Sequence, residues 1–446
     1  MDKLFGTDGI RGVAGALPLT PEFITRLGAA IARTLARDPS RLAVLARDTR
    51  QSGAMIEHAL AAGLLANGCD TLHVGILPTP GVAHLARVCG ATCGISISAS
   101  HNPYSDNGIK VIGGDGFKIA DALEAEIETR AQSADEPRGG NNFGAALLDL
   151  GVARTYENFL LDAVQRAPIL RGKRVVVDCN HGATFQIAPR VLRALGAEVI
   201  ALNAAPDGVN INAGYDALEP RALREAVLRV GADFGVQFDG DGDRAVFVDE
   251  RGNYLDGDFI LAIVARDFAA RGELKTNAVI STVMANVGLE ESLGALGVAL
   301  ERTSVGDRWV TEKMRAAGAV IGGEQSGHII FLDGGHTTGD GLYTTVRLAE
   351  ILARRGEKLS MGASVMKKYP QVLLNVRVPR KPPLHAIPQI QTQVARSQTL
   401  LGGNARILLR YSGTENLARV MIEGMDAALI AREANAIARV IQQNIQ

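Results

Sequence analysis

The chain has 446 residues, too many for one hydrophobic core, and at about 100–150 residues per domain it is expected to form three or four domains. A hydrophobic fraction of 47% is ordinary for a packed globular protein, and a formal charge of −1 excludes a nucleic-acid surface covering the whole molecule. The start Met1-Asp2-Lys3-Leu4-Phe5 lacks the apolar stretch of a signal peptide, and no apolar run reaches the roughly 20 residues that span a bilayer. The four cysteines, Cys69, Cys89, Cys93 and Cys179, lack C-x-x-C spacing, so reduced thiols are expected rather than zinc or disulfides. A cytoplasmic enzyme without membrane or nucleic-acid partners is the default reading.

Along the chain, an internal repeat organises the first three quarters. Each copy opens with a β-rich run: Leu42 to Asp48, Arg174 to Asp178, and Thr276 to Val283. A helical stretch follows, then a glycine introduces a second strand: Gly68 before Thr71 to Val74, Gly196 before Val199 to Leu202, Gly297 before Val298 to Leu300. A third strand is expected to begin with Gly-Ala and to carry another glycine, in Gly90-Ala91-Thr92-Cys93-Gly94, Gly231-Ala232-Asp233-Phe234-Gly235 and Gly318-Ala319-Val320-Ile321-Gly322. Alternating strand and helix predicts mixed or parallel sheets covered by helices.

The segment after the third strand differs in every copy. Copy one has Ser98-Ala99-Ser100-His101-Asn102-Pro103, copy two Asp239-Gly240-Asp241-Gly242-Asp243-Arg244, and copy three Gly323-Glu324-Gln325-Ser326-Gly327-His328. Ligand sites in α/β sheets gather at the carboxyl ends of strands, so three equivalent loops are expected to line one cleft. The acidic loop matches positions one, three, five and twelve of an EF-hand through Asp239, Asp241, Asp243 and Glu250. Arg244, however, stands where that loop needs glycine, and both flanks read as strands. Carboxylates at alternate positions of an extended backbone, with glycines between them, suit instead a small hard cation such as Mg²⁺ that leaves a position for a phosphoryl oxygen.

The last segment is set apart by Tyr369-Pro370 and by Pro379-Arg380-Lys381-Pro382-Pro383, and it is basic. Its Arg410-Tyr411-Ser412-Gly413-Thr414-Glu415-Asn416 lies between two strand-like runs. Hydroxyls, a flexible glycine and Arg410 with Arg419 suit phosphate, although a solvated hairpin turn fits the local composition equally well. Trp309 and the few other aromatics are too sparse for stacking nucleic-acid bases.

Taken in order, Phe5-Gly6-Thr7-Asp8-Gly9-Ile10-Arg11-Gly12, Ser98 to Pro103 continuing into Asp106-Asn107-Gly108-Ile109-Lys110, Asp239 to Arg244, Gly323 to His328, and Arg410 to Glu415 resemble the motifs of the α-D-phosphohexomutases. The match spans almost the whole chain. The opening Gly-Thr-Asp-Gly-Ile-Arg-Gly and Gln325 resemble the branch acting on glucosamine phosphates. Asn416 stands where the family commonly has proline, and Ala46 where it commonly has glycine.

The resemblance implies three related α/β domains with mixed sheets around a central cleft, at 1–150, 151–254 and 255–366, plus a smaller C-terminal α+β domain at 367–446. Ser100 would be the phosphorylated serine and would join Asp239, Asp241 and Asp243 around Mg²⁺. Glu324, Ser326, Gly306, Asp307 and Arg244 would contact the sugar phosphate. Arg410, Ser412, Gly413, Thr414 and Arg419 would grip the phosphate that is not reacting. Arg11 and Lys110 would assist proton transfer or neutralise charge, and His328 would transfer a proton or orient Glu324. His101 is expected to brace the turn, and His58, His73, His84 and His385 to be structural.

The implied reaction interconverts glucosamine 6-phosphate and glucosamine 1-phosphate, feeding UDP-N-acetylglucosamine and cell-wall synthesis. A hexosamine 1,6-bisphosphate serves as intermediate and activator. Mutases of glucose or mannose phosphates, and a noncatalytic sugar-phosphate-binding protein, are the alternatives. For assembly the resemblance suggests a homodimer; first phosphorylation of Ser100 is left open between a priming kinase and a bisphosphate.

Overall fold

The computed structural model describes residues 4–6, 8–36, 40–133, 142–216, 219–403, 405–412 and 416–445. The chain forms two compact units, Met1–Met284 with Leu296–Val365, and Ala285–Ala295 with Met366–Gln446.

The larger unit holds three mixed sheets with one shared topology. In the first, Leu42–Arg47 lies parallel to Asp70–Ile76 on one side and to Cys93–Ile97 on the other, and Asp106–Gly113 pairs antiparallel with Cys93–Ile97. Arg174–Asp178, Glu198–Leu202, Phe234–Phe238 and Ala245–Asp249 repeat this order. So do Ala278–Thr282, Ala299–Thr303, Ile321–Gly323 and Ile329–Phe331. The first sheet grows to seven strands through Phe5–Gly6, Gly9–Val13 and Ala146–Leu148; the second gains Tyr254–Leu255. The three sheets are the mixed, helix-covered architecture expected of the repeat.

The third strands correct the sequence reading in one respect. They begin not at Gly90, Gly231 and Gly318 but three residues later, at Cys93, Phe234 and Ile321. Those first glycines have φ of 60°, 60° and 69°, the left-handed conformation that closes the preceding helix. The second glycine of each copy has a different reason. A Cβ on Gly94 would meet Val82 Cγ1 at 2.8 Å, on Gly235 Val227 Cγ2 at 2.6 Å, and on Gly322 Met314 Sδ at 2.6 Å. In every copy the helix before the third strand packs directly on that strand's backbone, and a side chain there would force it away.

In each copy, therefore, the third and fourth strands form a hairpin whose connection carries the distinctive motif. The acidic connection is not extended, as the alternating carboxylates suggested. It turns between Phe238 and Ala245, with Gly242 at φ 70°. Among the described residues no helix is long and apolar enough to cross a membrane.

The smaller unit has a three-stranded antiparallel sheet, with Leu417–Glu423 between Gln371–Arg377 and Arg406–Tyr411. The helices Pro388–Leu401 and Ala427–Asn444 pack on it around Ile390, Val420, Ile422, Ile430, Ile437 and Ile441. Asn286 ties the segment 285–295 to this body, since its amide nitrogen donates to Tyr369 O at 3.0 Å while its Oδ1 accepts from Tyr369 N at 2.9 Å.

If close helix-on-strand packing sets these glycines, Gly235→Ala must displace Val227 and Leu223 and is expected to cost about 1–3 kcal/mol. Urea denaturation reads this as a lower midpoint at unchanged slope.

Candidate active site

The three hairpin connections of the larger unit converge. Ser100 follows the strand Cys93–Ile97 and is buried, with φ 51°. Its Oγ donates to Asp239 Oδ2 at 2.5 Å and lies 3.2 Å from His101 Nδ1. Thus the serine of the first loop and the first aspartate of the second are in hydrogen-bond contact.

Asp239, Asp241 and Asp243 are all buried, and each offers a carboxylate oxygen within 4.8 Å of the others. Asp241 Oδ1 and Asp243 Oδ1 are buried without a hydrogen-bond donor. Orphaned anionic oxygens this close are costly unless a cation serves them, so the donor set fits a hard divalent ion with oxygen ligands. Thr79, for which the sequence offered no signal, holds the loop in place: its Oγ1 donates to Asp241 Oδ2 at 2.7 Å and its N–H to Asp241 O at 2.9 Å.

Lys110 comes from the fourth strand of the first sheet, in register with Ser96. Its Nζ lies 2.8 Å from Asp241 Oδ2, 3.2 Å from Asp243 Oδ2 and 2.8 Å from Asp8 Oδ2. Burial alone would lower the ammonium's pKa, but the charges of Asp241, Asp8 and Asp243 hold it well above its ordinary value. Burial likewise pushes the carboxyls up. Lys110, then His328 and Arg244, outweigh it at Asp243, which sits at about 2. At Asp8, Lys110 and Arg11 do the same, again to about 2. Asp239 goes the other way, well above its usual range, because burial and the charges of Asp243 and Asp241 prevail. Asp8 had been quoted only as part of the opening motif; the structure makes it the link between Arg11, which donates to its Oδ2 at 2.5 Å, and Lys110.

Arg244 donates its N–H to Asp239 Oδ1 at 3.2 Å, and its side chain lies 3.8 Å from Asp243 Oδ1 and 3.3 Å from His101 Nδ1. Burial, with the charges of Arg244 and Arg11, lowers the His101 imidazole to about 4 and leaves it neutral at physiological pH. In the third copy, Gly306 N donates to Glu324 Oε1 at 3.0 Å, and Glu324 N donates to His328 O at 3.0 Å. The His328 side chain reaches toward two aspartates. Its Nε2 lies 3.9 Å from Asp243 Oδ2 and 3.8 Å from Asp307 Oδ2, and Gly339 is required there because any Cβ would run into the ring. Ser326 is half-buried beside Glu324 in the same turn.

In the smaller unit, Arg410 and Arg419 are direct cross-strand partners, and Lys381 Nζ donates to Ser412 O at 2.8 Å. Burial and the charge of Arg419 lower the pKa of Arg410. Like charges placed opposite one another on a sheet are unfavourable unless an anion joins them. Gly413 and Thr414 lie outside the described residues.

Residues 2–138 match the family described as phosphoglucomutase/phosphomannomutase, alpha/beta/alpha domain I; 154–252 match domain II, 256–369 domain III, and 373–440 the C-terminal domain. The chain belongs to this family, the α-D-phosphohexomutases. It is 48% identical to a phosphoglucosamine mutase of Symbiobacterium thermophilum, with all of both chains covered, and 46% identical to one of Deinococcus radiodurans, covering 99% of this chain and 98% of that one. Among solved structures, a phosphoglucomutase/phosphomannomutase family protein of Burkholderia thailandensis superposes with a TM-score of 0.80 at 25% identity, covering 99% of this chain and 97% of that one. An Aspergillus fumigatus N-acetylphosphoglucosamine mutase, solved with GlcNAc-6P and magnesium, shares the fold at a TM-score of 0.71 and 18% identity, covering 99% and 96%.

Asp8 and Asp243, near 2 against an ordinary 3.8, stabilise the fold above the ordinary value, and this contribution is lost as pH falls toward 2. In chelator-treated protein, Lys110→Met should therefore cost about 3–5 kcal/mol at neutral pH. That deficit should shrink between about pH 4 and pH 2. Urea unfolding of both proteins at neutral and acidic pH measures it.

Proposed function

We propose that this chain interconverts glucosamine 6-phosphate and glucosamine 1-phosphate, using Ser100 as the phosphoryl carrier. The observation that carries the mechanism is the contact between Ser100 Oγ and buried Asp239, in the acidic loop of the second sheet. The full-length similarity to phosphoglucosamine mutases, at 43–48% identity, supports the substrate.

In the first half-reaction the bond between phosphorus and Ser100 Oγ breaks as one forms to O1 of the sugar phosphate. In net, the O1 proton passes to the freed Ser100 Oγ and a 1,6-bisphosphate is held; in the second half-reaction the Ser100 Oγ proton passes to O6. After the bisphosphate reverses its orientation, Ser100 Oγ takes the phosphoryl group from O6, and glucosamine 1-phosphate departs. Lys110, already among the carboxylates, is the group best placed to hold a proton or neutralise charge near the serine; Arg11 acts beside it through Asp8. His328, between Asp243 and Asp307, is a second proton carrier. Phosphoryl transfer depends mainly on alignment and charge neutralisation, which this set supplies.

Asp239, Asp241 and Asp243, with the Ser100 phosphate, would hold Mg²⁺. When bound, the ion would offset the negative charge of the phosphoryl group. Glu324, fixed by Gly306 and the His328 carbonyl, and Ser326 would bind sugar hydroxyls, with Asp307 and Arg244 alongside. Arg410, Ser412, Gly413, Thr414 and Arg419 would bind the other phosphate, and a phosphate there would relieve the repulsion of the paired arginines. These roles follow the domain scheme 1–150, 151–254, 255–366 and 367–446. Hexosamine 1,6-bisphosphate would also recharge a dephosphorylated serine.

Intact mass tests the carrier. Wild-type protein incubated with glucose 1,6-bisphosphate should gain a phosphoryl adduct that Ser100→Ala cannot take up, and an unmodified wild type would sink the proposal. Values of kcat/KM should favour glucosamine phosphate over glucose and mannose phosphates. A tenfold preference for a neutral hexose, about 1.4 kcal/mol of transition-state binding, would reassign the substrate.

A further inference from the structure

Arg50 is buried and commits its whole guanidinium to the chain around Ser100. Its Nε donates to Asp48 Oδ2 at 2.8 Å. One terminal nitrogen donates to the carbonyls of Pro103 and Asp106, and the other to Ser100 O at 3.0 Å and Asn102 O at 2.8 Å. A guanidinium has five N–H groups, and five acceptors are present, so no donor is left for a ligand. Asp48 closes the ring: its Oδ2 also accepts from Ser98 Oγ at 2.5 Å, and Ser98 Oγ accepts from Ser100 N at 3.0 Å.

A second fastening arrives from the neighbouring sheet. Asn212 Nδ2 donates to the same two carbonyls, Ser100 O at 2.8 Å and Asn102 O at 3.0 Å. Gly240, inside the acidic loop, packs so closely on Ser100 O that a Cβ would collide with it. The backbone so held is in the left-handed region, uncommon for a residue with a Cβ. In that conformation Ser100 Oγ meets Asp239 while its carbonyl is turned to the Arg50 and Asn212 donors. Without those donors, converging carbonyl oxygens would be left buried and mutually repulsive.

We infer that Arg50 and Asn212 are positioning residues for phosphoryl transfer, clamping the Ser100 carbonyl from two domains so that Oγ stays aligned with the aspartate loop. The inference rests on the mutase reading. Neither side chain is assigned a contact with the sugar or the metal. Their effect belongs to alignment, where a displacement of about 1 Å costs on the order of 10²-fold in rate.

Arg50→Lys keeps the charge but loses the fork, and Asn212→Gly removes the amide while tolerating the φ of 57° found there. Each is phosphorylated with glucose 1,6-bisphosphate. Steady-state kcat and KM, the ratio of transfer to sugar over loss of the phosphoryl group to water, and the thermal midpoint are then measured. The expected result is a kcat lowered about tenfold or more with KM within about threefold, and a lower transfer-to-hydrolysis ratio. Asn212→Gly should melt near the wild type; if Arg50→Lys does not fold, it decides alone. A folded Asn212→Gly with wild-type kcat and ratio overturns the inference, as does a kcat loss that only tracks unfolding. Wild-type protein that takes no phosphoryl group overturns the mutase reading as well; wild-type uptake with unaltered variants removes only the clamp.

Discussion

The dominant constraint in the larger unit is negative charge confined out of water. Four aspartates, Asp8, Asp239, Asp241 and Asp243, gather in one largely buried cluster in which Asp239 touches the Ser100 hydroxyl and Lys110 contacts the other three, with Arg11 on Asp8 and Arg244 beside Asp243. Burying carboxylates is tolerable only when they are paired or coordinate a metal. Lys110 supplies one counter-charge and leaves oxygens of Asp241 and Asp243 unserved. The same crowding separates the carboxyls, keeping Asp243 firmly ionised and pushing Asp239 toward its protonated form. Asp239, the carboxyl most averse to charge, is the one that touches the serine. A cluster with that asymmetry suits a hard cation and a phosphoryl oxygen.

Such a cluster can be assembled because one supersecondary unit occurs three times. In each copy the third strand runs parallel to the first and then turns into an antiparallel fourth, so a tight connection leaves the sheet at its carboxyl edge. Serine, aspartates and glutamate occupy corresponding connections. The strands also contribute: Lys110 sits on a fourth strand, so its position is fixed by sheet register rather than by a loop. Precision therefore comes from hydrogen-bonded strands, and chemical variety from the short connections between them.

Much of this was legible in the sequence because it depends on local pattern. β-rich runs and the glycines before them located the strands, and the departures among the three connections pointed to the site. Two features misled. Gly90, Gly231 and Gly318 looked like the starts of strands because Gly-Ala precedes an apolar run, yet their positive φ makes them helix ends. Alternating aspartates looked extended because the spacing matches a strand, yet the intervening glycines let the chain turn. What could not be read was long-range partnership. The role of Arg50 has no local mark, since its backbone acceptors lie about fifty residues onward. Nothing local marks Asn212 or Thr79, whose importance arises only where separate sheets meet. Asp8 was visible as a motif residue, but its work as a bridge from Arg11 to Lys110 depends on the pairing of Gly9–Val13 with Asp106–Gly113.

The smaller unit poses the opposite electrostatic problem. Arg410 and Arg419 face each other across adjacent strands, and the repulsion lowers the pKa of Arg410 in addition to burial. Lys381 reaches the carbonyl of Ser412, adding further positive charge at the end of the strand. Each unit by itself thus gathers side chains of one sign at its site: carboxylates around Ser100, and Arg410, Arg419 and Lys381 around Ser412. A divalent cation would add counter-charge at the carboxylates, and a phosphate would add it at the arginines. For a sugar phosphate and a metal ion, binding strength would then derive partly from relief of the repulsion between side chains of like charge within each unit.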